Sequence, residues 1–178
     1  MELKLDELLS AKKGKFYLIS SRERDIDTFN RRMLADKEKL LSRIIRGKRC
    51  KTKDSLIQEF SAALQFPYYS VGDNWDGFDE CIVDLNWLPE EKRYFIFITN
   101  FNEVLLEYPE ELKKFFLVMN DVPMQWAKEN RIGIPSEPAA FNILFHCEPE
   151  NEEICKNILV DEKIDPMIRH LKPFDDIK

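Results

Sequence analysis

Apolar positions along the chain alternate between short continuous runs and a helical period, and the changes of period mark out the elements. Phe16-Tyr17-Leu18-Ile19, Tyr94-Phe95-Ile96-Phe97-Ile98-Thr99 and Phe141-Asn142-Ile143-Leu144-Phe145 are near-continuous apolar runs, the pattern of strands buried on both faces of a parallel sheet. Leu40 to Arg46 reads as a further strand. Asp54 to Gln65 reads as a helix with Leu56, Phe60, Ala63 and Leu64 inward, ended by Pro67. From Trp75 onward, at about 100° per residue, Trp75, Phe78, Cys81, Ile82 and Leu85 share an arc of roughly 120°. Pro109-Glu110-Glu111 opens another helix carrying Leu112, Phe115, Phe116 and Met119, which Pro123 is expected to kink or restart before Trp126. Pro135 and Pro138 mark a loop. Leu3, Leu5, Leu8 and Leu9 suggest a short amphipathic turn or helix, and Ile154 to Val160 a short helix. Strands alternating with helices predict parallel β-units joined by right-handed crossovers.

Charge changes the picture at one helix. Asp54 to Glu91 contains nine acids and no lysine, arginine or histidine, whereas the whole chain is only −6, so the rest carries +3. On the helix beginning at Trp75, Asp76, Asp79, Glu80 and Asp84 lie opposite the apolar arc, with Val83 among them, and Asp73 or Asn74 can cap its start. A solvated helix face usually mixes signs and so gains i,i+4 pairs. Here Asp76–Glu80 and Glu80–Asp84 are like-charge pairs. The helix dipole can offset repulsion near the N-terminus but not at Asp84. Helix stability therefore does not explain the pattern, whereas attraction of a basic partner surface does.

Composition excludes several classes. A pI near 5.1 is not that of a general nucleic-acid binder. The five glycines form no dinucleotide or Walker loop. An EF-hand register on Asn74, Asp76 and Gly77 would put Gly72 and Val83 at ligand positions. Helical acids on a convex face lack the cleft that glycosidase carboxylates need. Cys50, Cys81, Cys147 and Cys155 form no C-x-x-C pair and read as reduced thiols. His146 reads as a structural residue at a sheet end, and Trp75, Trp87 and Trp126 as core. The basic run Arg43 to Lys53 reads as a solvated loop drawn to the acidic segment rather than as a phosphate site. No signal-peptide or membrane-spanning stretch is seen.

Phe66-Pro67-Tyr68-Tyr69, Gly72-Asp73-Asn74-Trp75-Asp76, Phe78, Cys81, Asp84-Leu85 and Trp87 together resemble the signature of barstar-type proteins, the intracellular inhibitors of barnase-type ribonucleases. Arg43-Ile44-Ile45-Arg46-Gly47 is similar to the family's first strand and turn, and the resemblance extends over about residues 41–146. It implies a small three-stranded parallel sheet packed by helices, to which the N-terminal apolar run adds a candidate strand. It also implies that the acidic helix and the loop before it plug a nuclease active site. Asp76 and Glu80 match partner-contacting acids, and Tyr68 or Tyr69 the loop aromatic. Three departures bear on which nuclease is bound: Glu80 stands for the usual aspartate, Gly77 for a helix-favouring small residue, and Ser70-Val71 lengthens the loop. The barnase–barstar pair is itself an example of electrostatically steered association.

The sequence thus predicts an α/β barstar-like domain over residues 39–147, an N-terminal extension over 1–38 and an acidic C-terminal tail over 148–178. It predicts a bacterial, cytoplasmic, immunity-type inhibitor of a ribonuclease toxin, with no catalytic residue, metal or cofactor. The expected partner is a basic protein, not nucleic acid, a membrane or a small-molecule substrate. Tyr68, Tyr69, Asp73, Asp76, Asp79, Glu80, Val83 and Asp84 form the expected contact set. The alternative is a barstar-like interaction module whose partner is not a nuclease.

Overall fold

The structure is a computed structural model that describes residues 1–10, 13–35, 40–67, 74–131 and 133–171. Its centre is a parallel sheet of strands β1 (Phe16–Ser20), β2 (Leu41–Arg46), β3 (Arg93–Thr99), β6 (Ala140–Cys147) and β7 (Met167–His170), in the order β2-β3-β6-β1-β7. Strands β4 (Asn130–Arg131) and β5 (Ile134–Pro135) form a separate antiparallel pair, where the prolines suggested only a loop. The helices are α1 (Leu5–Leu9), α2 (Glu23–Ala35), α3 (Lys53–Leu64), α4 (Trp75–Asp84), α5 (Leu112–Trp126) and α6 (Glu152–Asp161).

The sheet has five strands, not the three that the resemblance implied. Residues read as an N-terminal extension supply β1, which lies between β6 and β7. Residues read as an acidic tail supply α6 and β7. Met167-Ile168-Arg169-His170 is too short and mixed to declare itself as a strand. Its pairing is set by β1, 150 residues away along the register Tyr17↔Met167.

From β2 onward the crossovers all advance in one direction, so right-handed connections put α3, α4, α5 and α6 on one face. The step from β1 back to β2 runs the other way and puts α2 on the opposite face. The core divides accordingly. Ile45, Ile96, Ile98, Ile143 and Phe145 pack with Phe60, Phe78, Phe115 and Leu159, while Tyr17, Ile19, Phe95, Phe97 and Leu144 pack with Leu8, Ile26, Phe29 and Met33. The continuous apolar runs reflect this burial on both faces.

Local chemistry sets the ends of α3. The Thr52 side chain accepts from the Ser55 N–H while the Ser55 hydroxyl accepts from the Thr52 N–H, a reciprocal cap. Gln65, left-handed at φ 55°, ends the helix before Pro67 is reached. Helix α5 runs through Pro123 without interruption. Pro123 is buried between Val122 and Trp126 in the face that meets the core, and that packing outweighs one lost backbone hydrogen bond. Gly47 lies where a Cβ would come 2.1 Å from the Thr99 carbonyl oxygen, so the β2 turn can approach β3 only without a side chain.

Candidate functional site: the acidic face of α4

Asn74 caps α4: its side-chain oxygen accepts from the Gly77 N–H at 2.8 Å. Phe78 anchors the helix inward, edge-on to Phe60 at 5.1 Å, Trp75 at 5.7 Å and Phe66 at 6.1 Å. Cys81 and Ile82 are buried beside it. Helix α5 holds the other flank, where Trp126 Nε1–H donates to the Ile82 carbonyl at 3.2 Å. Trp75 is only half-buried, and its Nε1–H donates to Glu111 Oε2 at 2.6 Å.

The acids follow the expected spacing. Asp76 and Glu80 are exposed, and Asp79 and Asp84 are half-buried. Among the described residues none of the four forms an ion pair. Val83 differs from its expected place on the outer face: it is 7% exposed. It sits over the seam where α4 meets α5, so neighbouring α5 covers a position that helical geometry alone leaves outside. Asp79, Glu80 and Val83 line a shallow groove with Asp121 and Gln125 of α5. Sequence reading missed Asp121, because nothing in the α5 pattern says which partner its outer face adjoins. Tyr68, Tyr69 and Asp73 lie outside the described residues.

Asp79 carries the electrostatic signature of the face. Burial, then the negative charges of Asp121, Asp76 and Glu80, push its carboxyl above the ordinary aspartate value of 3.8. Its Oδ1 is buried without a hydrogen-bond partner among the described residues. An ionised carboxylate held this way gains from a cationic group placed against it.

Three side chains of the basic run near α3 have partners within the domain. Arg46 binds Glu59 with Nε at 2.5 Å and Nη2 at 2.9 Å, and its backbone N–H reaches Glu59 Oε1 at 3.2 Å. Burial pushes Glu59 upward, but these bonds outweigh it and hold the carboxyl below its ordinary value. Arg43 donates to the Ala63 carbonyl, and Lys48 pairs with Glu23 at 2.7 Å.

The other place to examine is the crevice beyond the carboxyl ends of β1 and β6, where the crossover direction reverses. Open α/β sheets bind ligands at such points. Here the crevice is filled from within. Glu148 Oε1 accepts from the Glu23 N–H at the start of α2, at 2.9 Å, occupying the anion seat of that helix. His146 is fully buried. Its Nδ1 accepts from the Asn100 N–H at 3.3 Å and its Nε2–H donates to the Ser21 carbonyl at 2.9 Å. This arrangement requires the neutral ring, and burial lowers its pKa. Glu148 carries no sequence signal for this role, since its partner lies 125 residues away. The four cysteines are free and buried. Among the described residues, no group of three or more His, Cys, Asp or Glu side chains is arranged to hold a metal ion. No helix among them is long and apolar enough to cross a membrane.

The fold and this face define an α/β domain with an acidic helix whose outer acids form no ion pair among the described residues. Residues 40–134, more than half of the 178-residue chain, match the barstar (barnase inhibitor) family model. The chain belongs to the barstar family, whose members are inhibitors that bind barnase-type ribonucleases. Compared with curated proteins by sequence, it matches none. Among solved structures it is similar to the Aeropyrum pernix ORC2 protein in its ADPNP–ADP complexes, with TM-score 0.60 and 12% identity over 94% of this chain and 44% of that one. It is also similar to Drosophila ORC bound to DNA, with TM-score 0.56 and 9% identity over 94% and 28%. A third similar structure is Drosophila ORC bound to GC-rich DNA and Cdc6, with TM-score 0.52 and 12% identity over 97% and 56%. The chain thus spans well under two thirds of each of these proteins, and at such identities they share its fold alone.

Proposed function

We propose that this protein is an immunity-type inhibitor that occludes the basic active site of a ribonuclease toxin with the outer face of α4 and the segment before it. The observation that carries the reading is the set of four acids on α4 without a cationic partner among the described residues, one of them desolvated among like charges. Membership of the barstar family supports the same reading. Asp76 and Glu80 stand in for RNA phosphates, Asp79 adds charge at the seam with α5, and Asp84 extends the face toward the helix C-terminus. Tyr68, Tyr69 and Asp73 shape the approach. The chain acts by occupancy and performs no catalysis, in the cytoplasm of a bacterium that makes the toxin.

The experiment is a titration of RNA cleavage by barnase-type ribonucleases with the wild-type chain and with Asp76→Ala and Glu80→Ala. Inhibition that either substitution weakens at least tenfold, in a folded variant, supports the reading. Full cleavage by every basic ribonuclease tried, alongside salt-sensitive binding to another basic protein, overturns it in favour of a barstar-like module with a different partner. The substitution of Glu80 for the family's aspartate, with the longer 68–72 loop, predicts weaker inhibition of barnase than of the chain's own target.

A further inference from the structure

Helices α5 and α6 follow one another across the same face of the sheet, and their outer surfaces carry exposed apolar side chains. Leu117 and Met124 of α5 and Ile154 and Val160 of α6 are each between 54% and 67% exposed. They are four of the eight large apolar side chains left open among the described residues. Single exposed apolar residues are ordinary, whereas a group of them on neighbouring elements marks a contact surface.

Helix geometry places them. On one flank of α5, Asp121 adjoins α4 across the shallow groove. On the other, a Cβ at Gly14 would come 2.9 Å from Pro123 Cβ, so that flank faces the approach to β1. At about 100° per residue, Leu117 and Met124 fall on the outermost line between these flanks, opposite the buried Phe115, Met119, Val122 and Trp126. On α6, Cys155 and Leu159 are buried, and Ile154 and Val160 flank the outward line of Glu153, Asn157 and Asp161.

The charges around these residues differ in sign between the two helices. Lys113 and Lys128 are exposed at the two ends of α5, and Glu153 and Asp161 at the two ends of α6. Lys113 and Asp161 form no ion pair among the described residues, and Glu153 reaches only Lys156, at 3.9 Å. Both helices lead from the carboxyl end of one parallel strand toward the amino end of a later one, so they run parallel to each other. Such a face can meet a second copy about a two-fold axis in two ways. An axis across the helices lays α5 antiparallel on the α5 of the second copy. Lys113 of each copy then approaches Lys128 of the other, and Glu153 approaches Asp161. An axis along the helices lays α5 parallel on the α6 of the second copy, with Lys113 toward Glu153 and Lys128 toward Asp161. Charge disfavours the first arrangement and favours the second. In the second, Leu117 and Met124 meet Ile154 and Val160 between the charged ends.

We propose that the α5–α6 face is the contact surface of a homodimer, in which α5 of each copy packs parallel on α6 of the other. The surface is small. The 15 residues of α5 and the 10 of α6 span about 22 and 15 Å. With neighbouring helices about 10 Å apart, the footprint is roughly 400 Å² per copy, below the ~800 Å² per partner of stable complexes. The dimer is therefore weak and reversible. It leaves α4 free on the far flank of α5, so it goes beyond inhibition by α4 and does not depend on it.

The test is sedimentation equilibrium of the full chain at low salt, from about 5 μM to about 1 mM. The average mass is expected to rise from one copy toward two, and to rise less in ~0.5 M salt. Leu117→Ser and Ile154→Ser, both at exposed positions, should each weaken association at least fivefold. Lys113→Glu and Glu153→Lys should each weaken it at least threefold, and the two together should restore it to within twofold of wild type. In the antiparallel arrangement Lys113→Glu strengthens association instead. A mass of one copy throughout, unchanged association in either serine variant, strengthening by Lys113→Glu, or no recovery in the double variant overturns the proposal. The measurement contains no ribonuclease, so its failure leaves the α4 reading intact, and failed ribonuclease inhibition leaves this one intact.

Discussion

Replacing Asp79 with asparagine separates stability from binding at the acidic face. The carboxylate is repelled by Asp76, Glu80 and Asp121, and one of its oxygens is buried and unpartnered. Like-charge neighbours on a helix cost ~0.2–0.5 kcal/mol each. Asp76 is such a neighbour, three residues before Asp79, and Asp121 from α5 and the adjacent Glu80 add repulsion of the same sign, so that, partly screened by solvent, about 1 kcal/mol is relieved by Asp79→Asn near pH 7. For a chain of this size that corresponds to a Tm rise of about 2–4 °C. The pH dependence has a definite sign. The folded-state pKa is raised, so the unfolded state releases the Asp79 proton first as pH rises. The wild type therefore loses stability relative to the variant above about pH 3.8, through the raised folded value, and the difference closes below it. Urea denaturation of both proteins at several pH values measures this, and binding to a basic ribonuclease partner should weaken in the same variant. A variant less stable than wild type at pH 7, or a stability difference that does not change with pH, refutes the reasoning.

Other perturbations probe the scaffold. Gly47→Ala puts a methyl group against two backbone oxygens of β3 and its exit, at 2.1 and 2.8 Å, and should cost at least ~1–3 kcal/mol in chemical denaturation. Glu59→Gln should lose about 1–3 kcal/mol near pH 7. Because the Glu59 carboxyl is held below its ordinary value of 4.5, the wild type should lose that advantage as pH falls from there through the folded value. Trp75→Phe keeps the aromatic contacts but removes the bond to Glu111. It should cost about 1 kcal/mol and raise the Glu111 pKa, measured by carboxyl NMR, since that bond is the main cause of its lowering. Glu148→Ala removes the acceptor at the start of α2 and should cost about 0.5–2 kcal/mol, with faster hydrogen exchange at the Glu23 amide.

Much of the candidate site was legible in the sequence because its signals are local. The helical period from Trp75 to Leu85, the Asn74 cap and the one-signed acids all depend on residues within a few turns of one another, and helix geometry converts their spacing directly into faces. Strands β1, β3 and β6 declared themselves for a related reason: burial on both faces demands continuous apolar runs. Non-local facts were decided by the tertiary structure. The short segment Met167–His170 becomes a strand because β1 offers it a free edge. Val83 turns inward because α5 covers it, and Asp121 joins the acidic face because α5 crosses there. Pro123 stays inside a helix because its burial outweighs the lost hydrogen bond. Glu148 seals the crevice between β1 and β6 because the chain brings it to Glu23, and their separation of 125 residues carries no periodic signal. The sequence by itself determined the local faces and their charges. The three-dimensional packing decided which of those faces are covered, which charges become neighbours and which polar groups are left without partners.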